Sequence, residues 1–311
     1  MLERMALYKI AQKKLKTIKE KKIDLEKNIQ GVVENNLEEI FGWQFVCSEL
    51  SLHNFRIDTL AFDIETQSFV IIEYKRDRSI SIVDQGFSYL ALLINNKADF
   101  VLEYNEKLGK NLNKNAVDWS QSRVVFVANS FTTYQQNAIN FKDLPIELYE
   151  AKVFEENILS INQLKPIAST ESIKTISKSK KVEMVSREIK TYTVEDHFKP
   201  GWEKSRELFE NIREKILGLD DRIEENPTKL YMGYKLEDKS LVEIWVQKNK
   251  LVVRLLRIQP KDIKDLEKKV HYFKNSFKYF NKHISSYDIN SEDDIEYGVY
   301  LIKQVWERFG K

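Results

Sequence analysis

The sequence holds a single cysteine, Cys47, in 311 residues. That excludes a disulfide framework and any zinc site built on cysteine. The four histidines, His53, His197, His271 and His283, show no metal-ligand spacing. Nine glycines and five prolines exclude collagen-like, glycine-rich and proline-rich architectures. Long apolar runs are also missing, and none approaches the roughly 20 residues that span a bilayer. The opening MLERMALYKI lacks the apolar stretch of a secretory signal. Together these absences predict a cytoplasmic protein with no membrane partner. An excess of one charge sign is missing too, since 50 Lys and Arg nearly cancel 48 Asp and Glu to leave +2. A uniformly basic nucleic-acid coat and a disordered polyelectrolyte are therefore excluded. Any contact with nucleic acid has to come from local patches.

What is present suits folded cores. Hydrophobic residues make up 42% and aromatics 12% of the chain. The length points to two domains at roughly 100–200 residues each. We expect a basic N-terminal helix over 1–22, a first domain over 23–165, a linker over 166–196 and a second domain over 197–311. The first 27 residues carry nine Lys or Arg against four acids, and Leu7, Ile10, Leu15 and Ile18 recur at helix-like intervals. This segment reads as a solvated amphipathic helix or as a phosphate-contacting arm.

Residues 24–41 carry a helical apolar stripe that ends at Gly42. Strand-like runs follow at Phe45–Leu52, Arg56–Asp63 and Ser68–Tyr74. The last contains Phe69, Val70, Ile71 and Ile72 in one block, as a central strand covered on both faces would. A helix is expected from an N-cap at Ser79, then a strand over Arg123–Ala128, a helix over Thr132–Phe141 and a last strand over Ile146–Val153. This is an α/β pattern with a mixed sheet and flanking helices. The second domain reads as α+β. A helix around Trp202–Leu217 precedes an antiparallel meander over Tyr231–Leu236, Leu241–Val246 and Leu251–Leu256. A short helix over Asp262–Lys269 and a closing helix over Asp293–Phe309 follow.

The segment richest in chemistry is Arg56–Leu90. Asp58 lies on one expected strand, and Glu73 and Lys75 lie at the end of the next. Residues two apart leave a strand on the same face. In a hairpin, Asp58 can then sit opposite Glu73, so two carboxylates and one ammonium converge. That set suits metal-dependent phosphodiester hydrolysis. Mg²⁺, or Mn²⁺ in its place, takes hard oxygen ligands, here Asp58, Glu73 and the main-chain carbonyl of Tyr74. Lys75 would orient the attacking water or stabilise developing negative charge. A surface ion pair of little energetic value is the structural alternative.

Asp58 followed by Glu73-Tyr74-Lys75 after an apolar strand resembles the PD-(D/E)XK nuclease superfamily. Gln85-Gly86-Phe87-Ser88-Tyr89 fits the Gln-x-x-x-Tyr motif of its RecB-like and lambda-exonuclease-like branch, to which the archaeal NucS endonucleases are similar. The resemblance covers about Ile23–Val153. It implies a restriction-endonuclease-like mixed-sheet core and a metal-dependent nuclease that hydrolyses DNA in repair or restriction. Gln85 and Tyr89 share one helix face and would position the substrate. The proline that names the motif is absent, because Ile57 precedes Asp58. The family usually adds an acid from the preceding helix, and we favour Glu34 for that role, with Glu26 second. Arg56, Arg76 and Arg78 would contact DNA phosphates. A non-catalytic nucleic-acid-binding or regulatory protein that keeps the fold is the alternative function. A homodimer is compatible with the sequence.

The second domain resembles an uncharacterised domain found after such nuclease-like domains, in proteins labelled predicted transport proteins. No membrane segment supports that label. Tyr231, Tyr234, Trp245, Tyr272, Phe273, Phe277, Tyr279 and Phe280 are expected in the core. Tyr272–Phe280, interleaved with lysines, also suits a base-stacking surface.

Overall fold

The computed structural model describes residues 6–21, 25–75, 81–141, 144–165, 179–190, 192–236, 239–277 and 282–309. The chain divides into two compact units, Met1–Lys190 and Thr191–Lys311.

The first unit opens with a hairpin of β1 (Leu7–Ala11) and β2 (Lys14–Ile18). Two short helices follow, α1 (Leu25–Glu34) and α2 (Leu37–Phe41). An antiparallel meander of β3 (Gln44–Leu52), β4 (Phe55–Asp63) and β5 (Ser68–Lys75) comes next. Helices α3 (Ile82–Asn95) and α4 (Lys97–Leu108) then lead to β6 (Arg123–Ala128). Finally α5 (Thr133–Ala138), β7 (Ile146–Phe154), β8 (Ile158–Leu164) and α6 (Lys180–Glu188) close the unit.

Strands β3 to β8 form one six-stranded sheet in sequence order. The β5–β6 and β6–β7 pairs are parallel and the other pairs antiparallel, so the sheet is mixed. One face packs Leu60, Phe62, Phe69 and Ile71 against Phe87, Leu90 and Leu93 of α3. The other packs Ala61, Val70, Ile72 and Tyr74 against Ile29, Val33 and Leu37. This double cover explains the unbroken apolar run of β5, whose residues 68–74 are all buried. Each such Ile or Phe contributes about 1.5–3 kcal/mol by leaving water.

At the start of β5 the sheet is pinned by a buried ion cluster. Arg123 Nη2 donates to Asp63 Oδ2 at 2.9 Å, and its Nε lies 3.0 Å from Glu147 Oε1. Its guanidinium stacks 4.7 Å from the Trp43 ring centroid. Asp63 also accepts the amides of Glu65 and Thr66, which shapes the β4–β5 turn. The other end of β5 is left for chemistry.

The second unit contains α7 (Glu203–Leu217), β9 (Ile223–Pro227), β10 (Met232–Leu236), β11 (Lys239–Gln247) and β12 (Lys250–Leu256). It ends with β13 (His271–Tyr272), β14 (Ile284–Ile289) and α8 (Asp293–Phe309). Its sheet runs β13-β14-β12-β11-β10-β9 and is antiparallel throughout. Leu208, Phe209 and Ile212 of α7 and Leu301, Ile302 and Val305 of α8 share its core.

The expected class therefore holds, a mixed α/β core followed by an α+β unit. Several elements differ from the sequence expectation. The N-terminal segment is a hairpin, not a helix, because Gln12 and Lys13 adopt φ of 49° and 65° and form the tight turn that β-ribbons favour. The single helix expected up to Phe41 is two helices. The Asn35 and Asn36 side chains bond the carbonyls of Gly31 and Val32, which competes with helix continuation. Part of the expected linker is helix α6, whose Val182 and Val185 join the core beside α3. The N-cap of α3 is Ser81, and Ser79 lies outside the described residues. Residues 263–269 form no helix. Asp265 instead accepts the amides of Lys269 and Val270. Strands β8, β9, β13 and β14 and helix α4 are additions to the expected set.

Candidate active site at the end of the central strand

The β4–β5 ladder stops at the pair Thr59–Ile72. One residue further, Asp58 and Glu73 come opposite each other. There the side chain of Asp58 replaces the main-chain bond, and its Oδ2 accepts the Tyr74 amide at 2.9 Å. Glu73 is 6% exposed and its carboxylate is surrounded by donors. Lys75 Nζ and Gln85 Nε2 each donate to Oε1 at 2.9 Å. Tyr89 shares its single hydroxyl proton between Glu73 Oε2 at 2.9 Å and the Arg56 carbonyl at 3.1 Å. Gln85 and Tyr89 lie on the α3 face that looks back at β5, and Gln85 Nε2 also reaches the Tyr89 oxygen at 3.3 Å. The structure thus brings together Asp58, Glu73, Lys75, Gln85 and Tyr89.

The electrostatics of the pair are tense. Burial and the neighbouring charge of Glu73 raise Asp58 to about 6, against the opposing pull of the Tyr74 amide and Lys75. Burial, with Glu73 second, also pushes the Tyr89 hydroxyl up. Two carboxylates whose charges repel in this way favour a cation between them. Gln85 Oε1 adds a buried acceptor with no hydrogen-bond partner among the described residues. Among the described residues no group of three or more His, Cys, Asp or Glu is arranged to hold a metal ion. A pair of carboxylates with a free amide oxygen nevertheless fits Mg²⁺, which usually takes one or two carboxylates and fills its shell with water and phosphate.

Other expected residues lie elsewhere. Glu34 is not brought to the pair. It accepts from Thr59 Oγ1 and from Gln30 Nε2, on the sheet face covered by α1. The side chain of Glu26, and Arg76 and Arg78 altogether, lie outside the described residues. Arg56 is exposed and pairs with Glu49. Tyr74 gives its amide to Asp58, while its ring lies in the cluster on the opposite face. Two residues escaped the sequence reasoning. Gln30 Nε2 donates to the Asp58 carbonyl at 3.2 Å as well as to Glu34 at 3.0 Å, which ties α1 to β4. Its spacing from Glu34, one helical turn, was the available signal. Glu49 sits at φ 55° and raises Asp58 further, a position no local pattern marks.

The aromatic residues of the second unit serve mainly in packing. Tyr234 is fully buried and bonds Glu225 at 3.0 Å. Trp245 stacks on Tyr231, donates to Glu243 at 2.9 Å and carries the Arg254 guanidinium 3.8 Å from its centroid. Phe273 and Phe277 are exposed, and residues 278–281 lie outside the described residues.

Comparison with known proteins adds the following. Residues 194–308 match a domain of unknown function, DUF5655. An uncharacterized protein of Haemophilus influenzae is 42% identical over 305 residues, covering 96% of this chain and 99% of that protein. Among solved structures, an EndoMS–double-stranded DNA complex is 17% identical, with 42% of this chain and 47% of that chain covered and a TM-score of 0.25. A repair endonuclease from Pyrococcus abyssi is 18% identical, with 42% and 49% covered and a TM-score of 0.24. SfsA of Pyrococcus furiosus in complex with Ca²⁺ is 12% identical, with 48% and 75% covered and a TM-score of 0.25. The match spans about half the length of each of the first two structures. Among the described residues no helix is long and apolar enough to cross a membrane.

Proposed function

We propose that this chain, which belongs to the family of the uncharacterized Haemophilus influenzae protein, is a metal-dependent nuclease that hydrolyses DNA phosphodiester bonds. The carrying observation is the Asp58–Glu73 pair at the open end of the ladder, with Lys75, Gln85 and Tyr89 converging on Glu73. Asp58 and Glu73 would hold Mg²⁺ or Mn²⁺, with the Tyr74 carbonyl as a further ligand. When bound, the ion supplies Lewis acidity toward the phosphate and its attacking water. The protein's own groups do the rest. Gln85 and Tyr89 fix the carboxylate of Glu73 in one orientation. Lys75, only 12% exposed at its side chain, keeps an ammonium where negative charge builds on the phosphate oxygens. Arg56 contributes a positive charge at the rim, for a phosphate beside the cleaved bond.

The test is cleavage of labelled duplex, single-stranded, flap and mismatched DNA with Mg²⁺ and with Mn²⁺. Cleavage should disappear in Lys75→Ala, with binding of DNA retained. A second reading, a non-catalytic DNA-binding protein, draws on the three donors that already surround Glu73. It predicts salt-sensitive binding of the same substrates with no cleavage under either metal.

A further inference from the structure

The N-terminal hairpin is rooted above the candidate site. Its root, residues 19–21, runs antiparallel to 153–155. Lys21 donates its amide to the Val153 carbonyl at 2.8 Å, Glu155 donates to that of Lys19 at 2.9 Å, and Glu20 bridges Phe154. Phe154 pairs with Ile158 of β8 on its other edge. The root therefore occupies the edge of β7 that β6 occupies lower down. The parallel register sets Lys75, Ala128 and Glu150 side by side, and Phe154 lies four residues beyond Glu150. With strands about 4.8 Å apart and a rise of about 3.3 Å per residue, the root stands about 14 Å from Lys75. Lys9–Glu156, at 2.8 Å, and Lys21–Asn157, at 3.4 Å, brace the hairpin against the β7–β8 turn.

The chemistry of the hairpin has one sign. Residues 7–18 contain Lys9, Lys13, Lys14 and Lys16 and no acid. Lys9 and Lys16 are directly opposed across the ribbon, an arrangement that repels unless an anion intervenes. Glu156 serves Lys9 in that way. Lys13 and Lys14, at the exposed tip, have no ion-pair partner among the described residues. Ile10 and Leu15, a cross-strand pair, are 77% and 66% exposed, and Tyr8 is 51% exposed. An isolated ribbon of this kind is marginal in water without something to pack on.

We propose that this hairpin is a DNA-binding arm. It lays Lys13, Lys14 and Lys16 on backbone phosphates of duplex DNA flanking the bond presented to Asp58 and Glu73. The pleat puts Lys14 and Lys16 on one face of the ribbon and Tyr8, Ile10 and Leu15 on the other, so the lysine face lies along the phosphates and the apolar face is turned away from them. The inference rests on the nuclease reading only for where the DNA lies.

The test uses the full chain and a fluorescent 30-base-pair duplex in EDTA, with affinity measured from 50 to 200 mM KCl. Each lost phosphate contact removes about 0.9 from the slope of log affinity against log salt. Lys13→Ala/Lys14→Ala/Lys16→Ala should lower that slope by about 2.7, so its affinity falls about 40-fold less over this range than that of the wild type. An unchanged slope in the lysine variant, or no salt-dependent binding by the wild type, overturns the arm. So does a wild-type dimer that Ile10→Ser/Leu15→Ser converts to monomer with the lysine slope intact, which would make this face a contact between copies. Lysine-dependent binding without cleavage overturns the nuclease reading and supports the arm. Cleavage with lysine-independent binding does the reverse.

Discussion

Replacing Asp58 with Asn should make the metal-free protein more stable while abolishing the proposed activity. Asp58 is raised from 3.8 to about 6 by burial and by Glu73. By linkage that displacement corresponds to about 3 kcal/mol of destabilisation when the group is ionised. Partial exposure of Asp58 screens the effect, and halving it leaves about 1.5 kcal/mol. The sign follows from proton binding. The folded chain holds the Asp58 proton more tightly than the unfolded chain does. The penalty is therefore fully present above about pH 6, fades as pH falls through 6, and is gone below about 4. Asn at this position still accepts the Tyr74 amide and carries no charge. Urea unfolding in EDTA at pH 7.5 should show a midpoint about 0.5 M higher for Asp58→Asn, for a slope near 3 kcal/mol/M. The gap should close toward pH 4. Adding Mg²⁺ should raise the wild type's midpoint and leave the variant's alone. A less stable variant at pH 7.5, or a gap of equal size at pH 5 and pH 8, would refute the reasoning.

Three further outcomes are expected. Tyr89→Phe removes a donor from Glu73 Oε2 and should slow single-turnover cleavage about tenfold, a loss of about 1.4 kcal/mol, with DNA affinity unchanged. Gly86→Ala places a methyl 2.4 Å from Ile146 Cδ1 and should cost about 1–2 kcal/mol, overpacking outweighing the gain in helix propensity. Ile146→Val in the same chain deletes that atom but keeps Cγ1, 2.9 Å from the new methyl, and should recover only part of the loss in thermal unfolding. Cys47 is buried, and its thiol is pushed up to about 12 by burial and by Glu103. An aromatic disulfide reagent at pH 8 should therefore label it only on unfolding, with a rate that tracks global opening.

The legibility of this chain follows from how local each signal is. Glu73 and Lys75 could be placed because a buried strand of alternating faces fixes residues two apart, and Asp58 because a short hairpin fixes its partner. Gln85 and Tyr89 needed only one helical turn. Glu34 could not be placed, since the sequence does not say which face of a sheet a preceding helix will cover. The hairpin was misread because Leu7, Ile10, Leu15 and Ile18 satisfy a helical spacing that the left-handed Gln12–Lys13 turn overrides. Strand β8 lies at the sheet edge with little of its surface buried, so its pattern carries no clean alternation. The extra strand β14 gains its place from long-range pairing with β12, while β9, which carries two acids and a proline, pairs with the adjacent β10.

The most direct test of the central claim is single-turnover cleavage of labelled duplex DNA at pH 7.5 with Mg²⁺. Wild type, Asp58→Ala and Glu73→Ala should be compared after circular dichroism shows all three folded. Cleavage by the wild type and a loss of at least about 1000-fold in each variant, some 4 kcal/mol of transition-state stabilisation, are expected. Folded variants that cut at the wild-type rate would contradict the claim.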